Sequence, residues 1–355
     1  MRSHNYKILA LDKLYRYAMN TEDNHPPYDF EIERLVNYIK ERNYKKILIQ
    51  IPDGLKIYVP YIYNELKRRL RDYVEIVFSG DSAWGSCMLI DHEAEKGDYD
   101  LLVHIGHIEY PYYKSSFNTL YIPAYSLLDV DQRTIERVIE ILRSYNAKRI
   151  GIFSTIQHER LLPKIRNELS KYFDIISSGK GSVVMGCEYS APYSVIHRVD
   201  AFVIVSGGVF HGLGLGLYEI TKPVIKIDPY EGKAIDLTQE IHRIRRIRYY
   251  KIMQALNARH WILIDGVRGQ RREWYRKYLE KLIRDKEGEY ITYISENITR
   301  ELLLNIDTEW VDAYVVLACP RIPIDDLSDF HKPVLTPAEA RMALTGKIDK
   351  YSFPW

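Results

Sequence analysis

The residues best equipped for chemistry in this chain are three cysteines, Cys87, Cys187 and Cys319, each preceded by a small residue (Ser86, Gly186, Ala318) and each in or beside a predicted loop. A thiolate is a soft metal ligand and a strong nucleophile, and a helix amino terminus favours it over the neutral thiol. Cys87 follows the turn at Trp84 and Gly85 and precedes the segment 88–96, which reads as a helix, so it stands where that dipole acts. Three thiolates meeting at one point suit a four-iron, four-sulfur cluster with one iron left open, whereas a structural zinc normally takes four protein ligands. Three unrelated packed thiols would give the same count, because cysteine is among the most buried residue types. An odd number of cysteines also cannot pair completely within one chain.

The elements that must position these residues alternate between short apolar runs and amphipathic segments. Ile47–Ile51, Val74–Phe78, Leu101–Ile105 and Thr119–Ile122 read as buried strands separated by helical spacing, as in βαβ units with a parallel sheet. A second series follows at 149–153, 173–176, 201–205 and 223–227. A third, after a basic helix beyond Gly232, lies at 261–264, 290–294 and 313–317, with 333–335 as a possible last strand. The three series share one detail: Asp100, Asp200 and Asp312 each stand just before an apolar strand that ends in a small-residue loop. This pattern predicts an internal repeat of one α/β module. The expected domains are 1–130 with Cys87, 131–230 with Cys187 and 231–355 with Cys319. Functional groups of parallel sheets gather at the carboxyl ends of strands, so loops from the three modules can face one centre.

Composition narrows the classes. The 355 residues are ample for two or three domains, and 46% hydrophobic residues suffice for packed cores. A formal charge of +2 gives no overall field for nucleic acid or an anionic membrane. No apolar run approaches the roughly 18 residues that span a bilayer, and the start, MRSHNYKILALDK, lacks a signal-peptide core; the expectation is a soluble, cytoplasmic protein. The basic segments 242–248 and 268–276 read as amphipathic helices with solvated basic faces, not as a nucleic-acid site. The run Gly212, Gly214, Gly216 lacks the preceding strand and spacing of a dinucleotide fingerprint, and tight packing accounts for it.

GDSAWGSCMLIDHEA with DLLVHIGH, GGVFHGLGLGL with KPVIKIDPYEGK, GVRGQRREWYRKYLEKL, and VLACPRIPIDD with KPVLTPAEARMAL together resemble the archaeal enzymes of the first step of diphthamide synthesis, the 2-(3-amino-3-carboxypropyl)histidine synthases. The resemblance runs from about Ile47 to Tyr351. Trp84 and Ser86 depart from the Tyr and Ala more usual in that family, and VVMGCEYSAP around Cys187 matches least well. The resemblance implies three similar α/β modules in a pseudo-three-fold arrangement, with Cys87, Cys187 and Cys319 ligating one [4Fe-4S] cluster at the centre and S-adenosylmethionine on the open iron. It further implies radical transfer of the 3-amino-3-carboxypropyl group to a histidine of translation elongation factor 2, a homodimer, and an electron donor of unknown identity. On this view the cosubstrate's carboxylate needs a cationic or amide partner. Arg321 and Gln270 are the candidates, with His107 and His211, in Gly-rich loops after corresponding strands, as further cosubstrate contacts. A quinolinate synthase-like iron–sulfur enzyme and a non-catalytic RNA- or protein-binding module are the competing readings.

Overall fold

The computed structural model describes residues 25–218 and 221–355; most of the N-terminal extension, expected to run through Pro27, lies outside them. The chain divides into two compact units, 1–128 and 129–355.

The first unit holds a four-stranded sheet of Lys46–Gln50, Glu75–Phe78, Leu101–Ile105 and Thr119–Ile122, all parallel, in the spatial order 2-1-3-4. Both faces are covered, as parallel sheets require. Ile47, Ile49, Val103 and Ile105 pack with Leu35 and Ile39 of the helix Ile32–Glu41 and with Ile62 and Leu66 of Val59–Leu70. On the other face Leu48 and Leu102 meet Leu89, Ile90 and Ala94. A two-residue antiparallel pair, Tyr28–Asp29 with Tyr125–Ser126, ties the segment before the helix Ile32–Glu41 to the end of the unit.

The second unit contains two sheets. One comprises Arg149–Ser154, Asp174–Ile175, Ala201–Val205 and Val224–Asp228, parallel and again ordered 2-1-3-4, with Lys233–Asp236 added antiparallel to the fourth. The other comprises His260–Asp265, Glu289–Ile294, Ala313–Val316 and Val334–Leu335, parallel and ordered 2-1-3-4. The α/β class and the repeated parallel sheet expected from the sequence are therefore what the chain adopts. The boundary drawn at 230/231 falls inside the five-stranded sheet, whose last strand lies beyond it. These two sheets share a core: Phe202 and Ile204 of one and Trp261, Leu263 and Val315 of the other belong to a single apolar cluster, joined by residues of the helices Phe210–Tyr218, Thr238–Gln254 and Pro337–Thr345. Among the described residues no helix is long and apolar enough to cross a membrane.

The repeated aspartates have one structural job. Asp100 Oδ2 accepts the backbone N–H groups of Lys45 (2.6 Å) and Lys46 (2.9 Å). Asp200 Oδ2 does the same for Lys148 (3.1 Å) and Arg149 (2.9 Å), and Asp312 Oδ2 for Arg259 and His260 (both 2.9 Å). Each Asp backbone N–H in turn donates to the carbonyl of Lys46, Arg149 or His260. The first and third strands of each of the three larger sheets are thus clamped at their amino ends by a carboxylate at the same point. Arg149 adds a side-chain bond to Asp200 (2.9 Å) and, with the two backbone donors, brings that carboxyl down to about 2.

A carboxyl depressed in the folded state contributes stability above its unfolded value, and that contribution fades as pH falls through the folded one. Asp200→Ala is expected to cost about 2 kcal/mol at pH 7, with the gap to the parent chain closing between about pH 4 and pH 2; urea melts of both proteins across that range check it.

Candidate iron–sulfur and cosubstrate site

In the first unit the loop after the second strand carries Cys87, half-buried, in a three-residue 3₁₀ turn, Ser86–Met88. The helix expected at 88–96 begins only at Asp91, after Leu89 in extended conformation, and is six residues long. Cys87 is therefore not at a helix amino terminus, and the dipole argument made for it does not apply. What fixes the turn is a side chain from the sheet. Gln50, fully buried at the end of the first strand, donates from Nε2 to the Met88 carbonyl at 2.8 Å. Its register partner on the third strand is His104, whose Nδ1 lies 2.8 Å from Gln50 Oε1. His104 Nε2 in turn lies 2.9 Å from Nδ1 of His107. Burial pushes both rings down, His104 far below an ordinary histidine, helped by His107, and His107 to about 4, so both are neutral near pH 7.

In the second unit Cys187 and Cys319 occupy one neighbourhood. Cys187 lies at the tip of a tight loop closed by Met185 and Glu188, whose backbones exchange N–H···O bonds of 3.2 Å. Cys319 follows the third strand of the last sheet, and its carbonyl accepts the Ile322 N–H (3.1 Å) at the head of a π-helical turn, Ile322–Asp326. Both sulfurs bear on Tyr189: its fully buried phenol is pushed far up by burial first, then by the charge of Cys187 and of Cys319. Tyr189 fits because Gly214 has no side chain; a Cβ there would sit 2.0 Å from the phenol oxygen. Gly212 and Gly216 likewise let the helix Phe210–Tyr218 press on Leu237 and Ile241, so packing is the reason for this glycine run.

Around the two thiols stand most of the candidate cosubstrate residues. A Cβ on Gly186 would meet the Phe210 ring at 2.7 Å and lie 3.9 Å from His211 Nε2, which places His211 against the Cys187 loop. His211 is the second residue of the helix Phe210–Tyr218, not part of a loop. The Arg321 guanidinium lies over Phe210, 5.7 Å from its centroid, and its Nε bonds Asp325 at 3.1 Å. Gln270, buried in the 3₁₀ turn Arg268–Gln270, and Ala318, next to Cys319, both crowd the empty side of Gly266. The structure brings Cys187, Cys319, His211, Arg321 and Gln270 together, while Cys87 and His107 belong to the first unit. Taken separately, neither unit gathers three His, Cys, Asp or Glu side chains as a metal-binding group among its described residues. Thiolates are the ligands that iron–sulfur clusters take, so Cys87, Cys187 and Cys319 fit that group in the chemistry of their side chains.

Sequence reasoning missed Gln50, His104, Tyr189 and His158. His158 is buried against Tyr230 (5.3 Å between centroids) and held down to about 4 by burial, then by His211 and Lys226. The buried Lys226 bonds the Gly207 carbonyl (2.7 Å) and Asp228 (2.8 Å). The motifs VHIGH and KPVIKIDPYEGK contained His104, Lys226 and Asp228, but nothing in spacing gives their partners.

A family model described as "Putative diphthamide synthesis protein" matches residues 51–353. The chain belongs to that diphthamide synthesis family. Within it, the chain is 29% identical to 2-(3-amino-3-carboxypropyl)histidine synthase of Pyrococcus horikoshii over 90% of this chain and 91% of the relative. It is 26% identical to the protein of the same name from Methanocaldococcus jannaschii over 92% of both. Among solved structures, Dph2 from Pyrococcus horikoshii with a 4Fe-4S cluster superposes with a TM-score of 0.80, at 27% identity, over 92% of this chain and 93% of that one. In this chain the segment that follows ACPR is anchored from behind. Arg248, buried in the helix Thr238–Gln254, donates to the carbonyls of Pro323 (2.8 Å) and Val334 (2.7 Å) and makes a two-point bond to Glu339 (2.9 and 2.6 Å). Glu339 also accepts from Tyr351 Oη (2.6 Å) and the Thr336 N–H (2.8 Å). The segment 242–248, expected to be a solvated basic face, thus contributes a core residue.

Removing Glu339 strands a buried guanidinium. Glu339→Ala is expected to destabilise the second unit by about 3–5 kcal/mol and to raise the alkylation rate of Cys319 in the cluster-free, reduced protein; denaturant melts and mass-spectrometric thiol footprinting check the two effects.

Proposed function

We propose that this protein transfers the 3-amino-3-carboxypropyl group of S-adenosylmethionine to a histidine of translation elongation factor 2, the first step of diphthamide formation. Cys87, Cys187 and Cys319, one from each of three α/β modules, hold a [4Fe-4S] cluster in this reading. When bound, that cluster supplies the electron that breaks the bond between the sulfonium sulfur and the γ-carbon of the methionine moiety. The observation that carries the proposal is the family match across 51–353 together with the cluster-bearing Dph2 of the same fold. Cys187 and Cys319 beside one buried phenol support it further.

The chain's own residues bind and orient. Arg321 offers a planar fork matched to a carboxylate, steadied by Asp325 and by the Phe210 face. Gln270, next to Ala318 across Gly266, is the amide-bearing side chain of this reading, and His211 lines the Cys187 loop. The protein works as a cytoplasmic homodimer fed by a separate electron donor.

Anaerobic reconstitution is expected to give a brown protein with about four irons per chain. With dithionite and S-adenosylmethionine it should release methylthioadenosine, and elongation factor 2 should gain the transferred group in its mass spectrum. Each of Cys87→Ser, Cys187→Ser and Cys319→Ser should lower methylthioadenosine release by about 100-fold or more; wild-type-like release from any of them removes that cysteine from the ligand set.

A further inference from the structure

The polar chain in the first unit settles which way a proton faces at His107. Gln50 donates from Nε2 to the Met88 carbonyl, so Oε1 is the atom turned to His104. An amide oxygen only accepts, which makes His104 Nδ1 a donor. A neutral imidazole carries one N–H, so His104 Nε2 is a lone pair and His107 Nδ1, 2.9 Å away, donates to it. The one remaining ring nitrogen, His107 Nε2, is then an acceptor, and it has no hydrogen-bond partner among the described residues. Flipping the Gln50 amide would set two oxygens against each other at Met88, so a backbone carbonyl fixes the direction of the whole chain.

Neutrality follows from the surroundings. Gln50 and His104 are fully buried, and the Tyr121 ring, edge-on to His104 at 5.8 Å, is its other close aromatic neighbour. Charging either imidazole would place a desolvated cation beside the other ring, 5.1 Å away between centroids.

We propose that the Met88–Gln50–His104 relay locks His107 as its Nδ1–H tautomer, so that Nε2 receives a hydrogen bond from the ammonium of the cosubstrate's amino-acid moiety. The assignment of that ligand rests on the function proposed above. A lone pair attracts an ammonium and repels a carboxylate, so His107 selects one end of the amino acid. His107 is the contacting group; Gln50 and His104 are positioning residues.

The full-length protein with ¹⁵N-labelled histidine reads the tautomers directly. At pH 7 both His104 and His107 should carry the proton on Nδ1, and Gln50→Leu should return His107 toward the Nε2–H form usual for unconstrained imidazole. Binding by the anaerobic, cluster-loaded protein reads the ligand. His107→Ala should weaken S-adenosylmethionine about 10- to 100-fold, and leave the affinity for the analogue lacking the amino group unchanged. An Nε2–H His107 in the parent chain, or equal losses for the two ligands, overturns the proposal. Failure of the parent chain to bind S-adenosylmethionine at all overturns the ligand assignment along with the functional reading, while the ¹⁵N spectrum still decides the relay.

Discussion

One carboxylate at the foot of each sheet, bonded to two consecutive backbone N–H groups of the neighbouring strand, sets the frame on which the rest of this molecule hangs. Strand register is unforgiving, because a shift of one residue turns every side chain to the opposite face. By fixing the first strand against the third at their amino ends, Asp100, Asp200 and Asp312 determine which residues stand side by side at the far ends. In the first sheet that pair is Gln50 and His104, and their alignment is what allows a side chain to grip the Cys87 turn.

The first and third strands are also where the 2-1-3-4 order reverses direction, the place where open α/β sheets offer room for ligands. Each cysteine lies beyond the carboxyl end of a strand. Two follow the second strand of their sheets and one follows the third, so the repeat supplies equivalent rims without equivalent thiols. The loops do the rest by unlike means. Cys87 is held by a hydrogen-bonded side chain from the sheet, Cys187 by a backbone-closed hairpin, and Cys319 by a turn secured through the buried pair of Arg248 and Glu339. A buried ion pair of this kind is costly to desolvate and repays its cost only when its remaining bonding positions are filled. Here two carbonyls, a phenol and a backbone N–H fill them.

Much of this was legible in the chain itself. Continuous β-branched runs gave the central strands, and the recurrence of Asp before an apolar run gave the repeat, though its reason, backbone capping across strands, lies 51 to 55 residues away in sequence. The motifs that carry the family resemblance also contain Cys87, Cys319, Gln270, Arg321 and His211, whereas the stretch around Cys187 matches least well. What failed to show were pairings between distant residues of ordinary type. Gln50 looks like any strand residue, Tyr189 is one tyrosine among 30, and Arg248 hid among a run of basic neighbours. The helix assigned from Met88 also started late, because Leu89 and Ile90 pack under the sheet, with Leu89 in extended conformation.

The glycine run pressed against Tyr189 carries an implication for how this lobe tolerates change. Because the phenol occupies space that any larger residue at position 214 would claim, the helix and the aromatic behind the two thiols can only drift together. Sequence variation there should come in matched pairs, a smaller ring with a bulkier helix residue, and a swap at one partner alone should be purged among descendants of this gene.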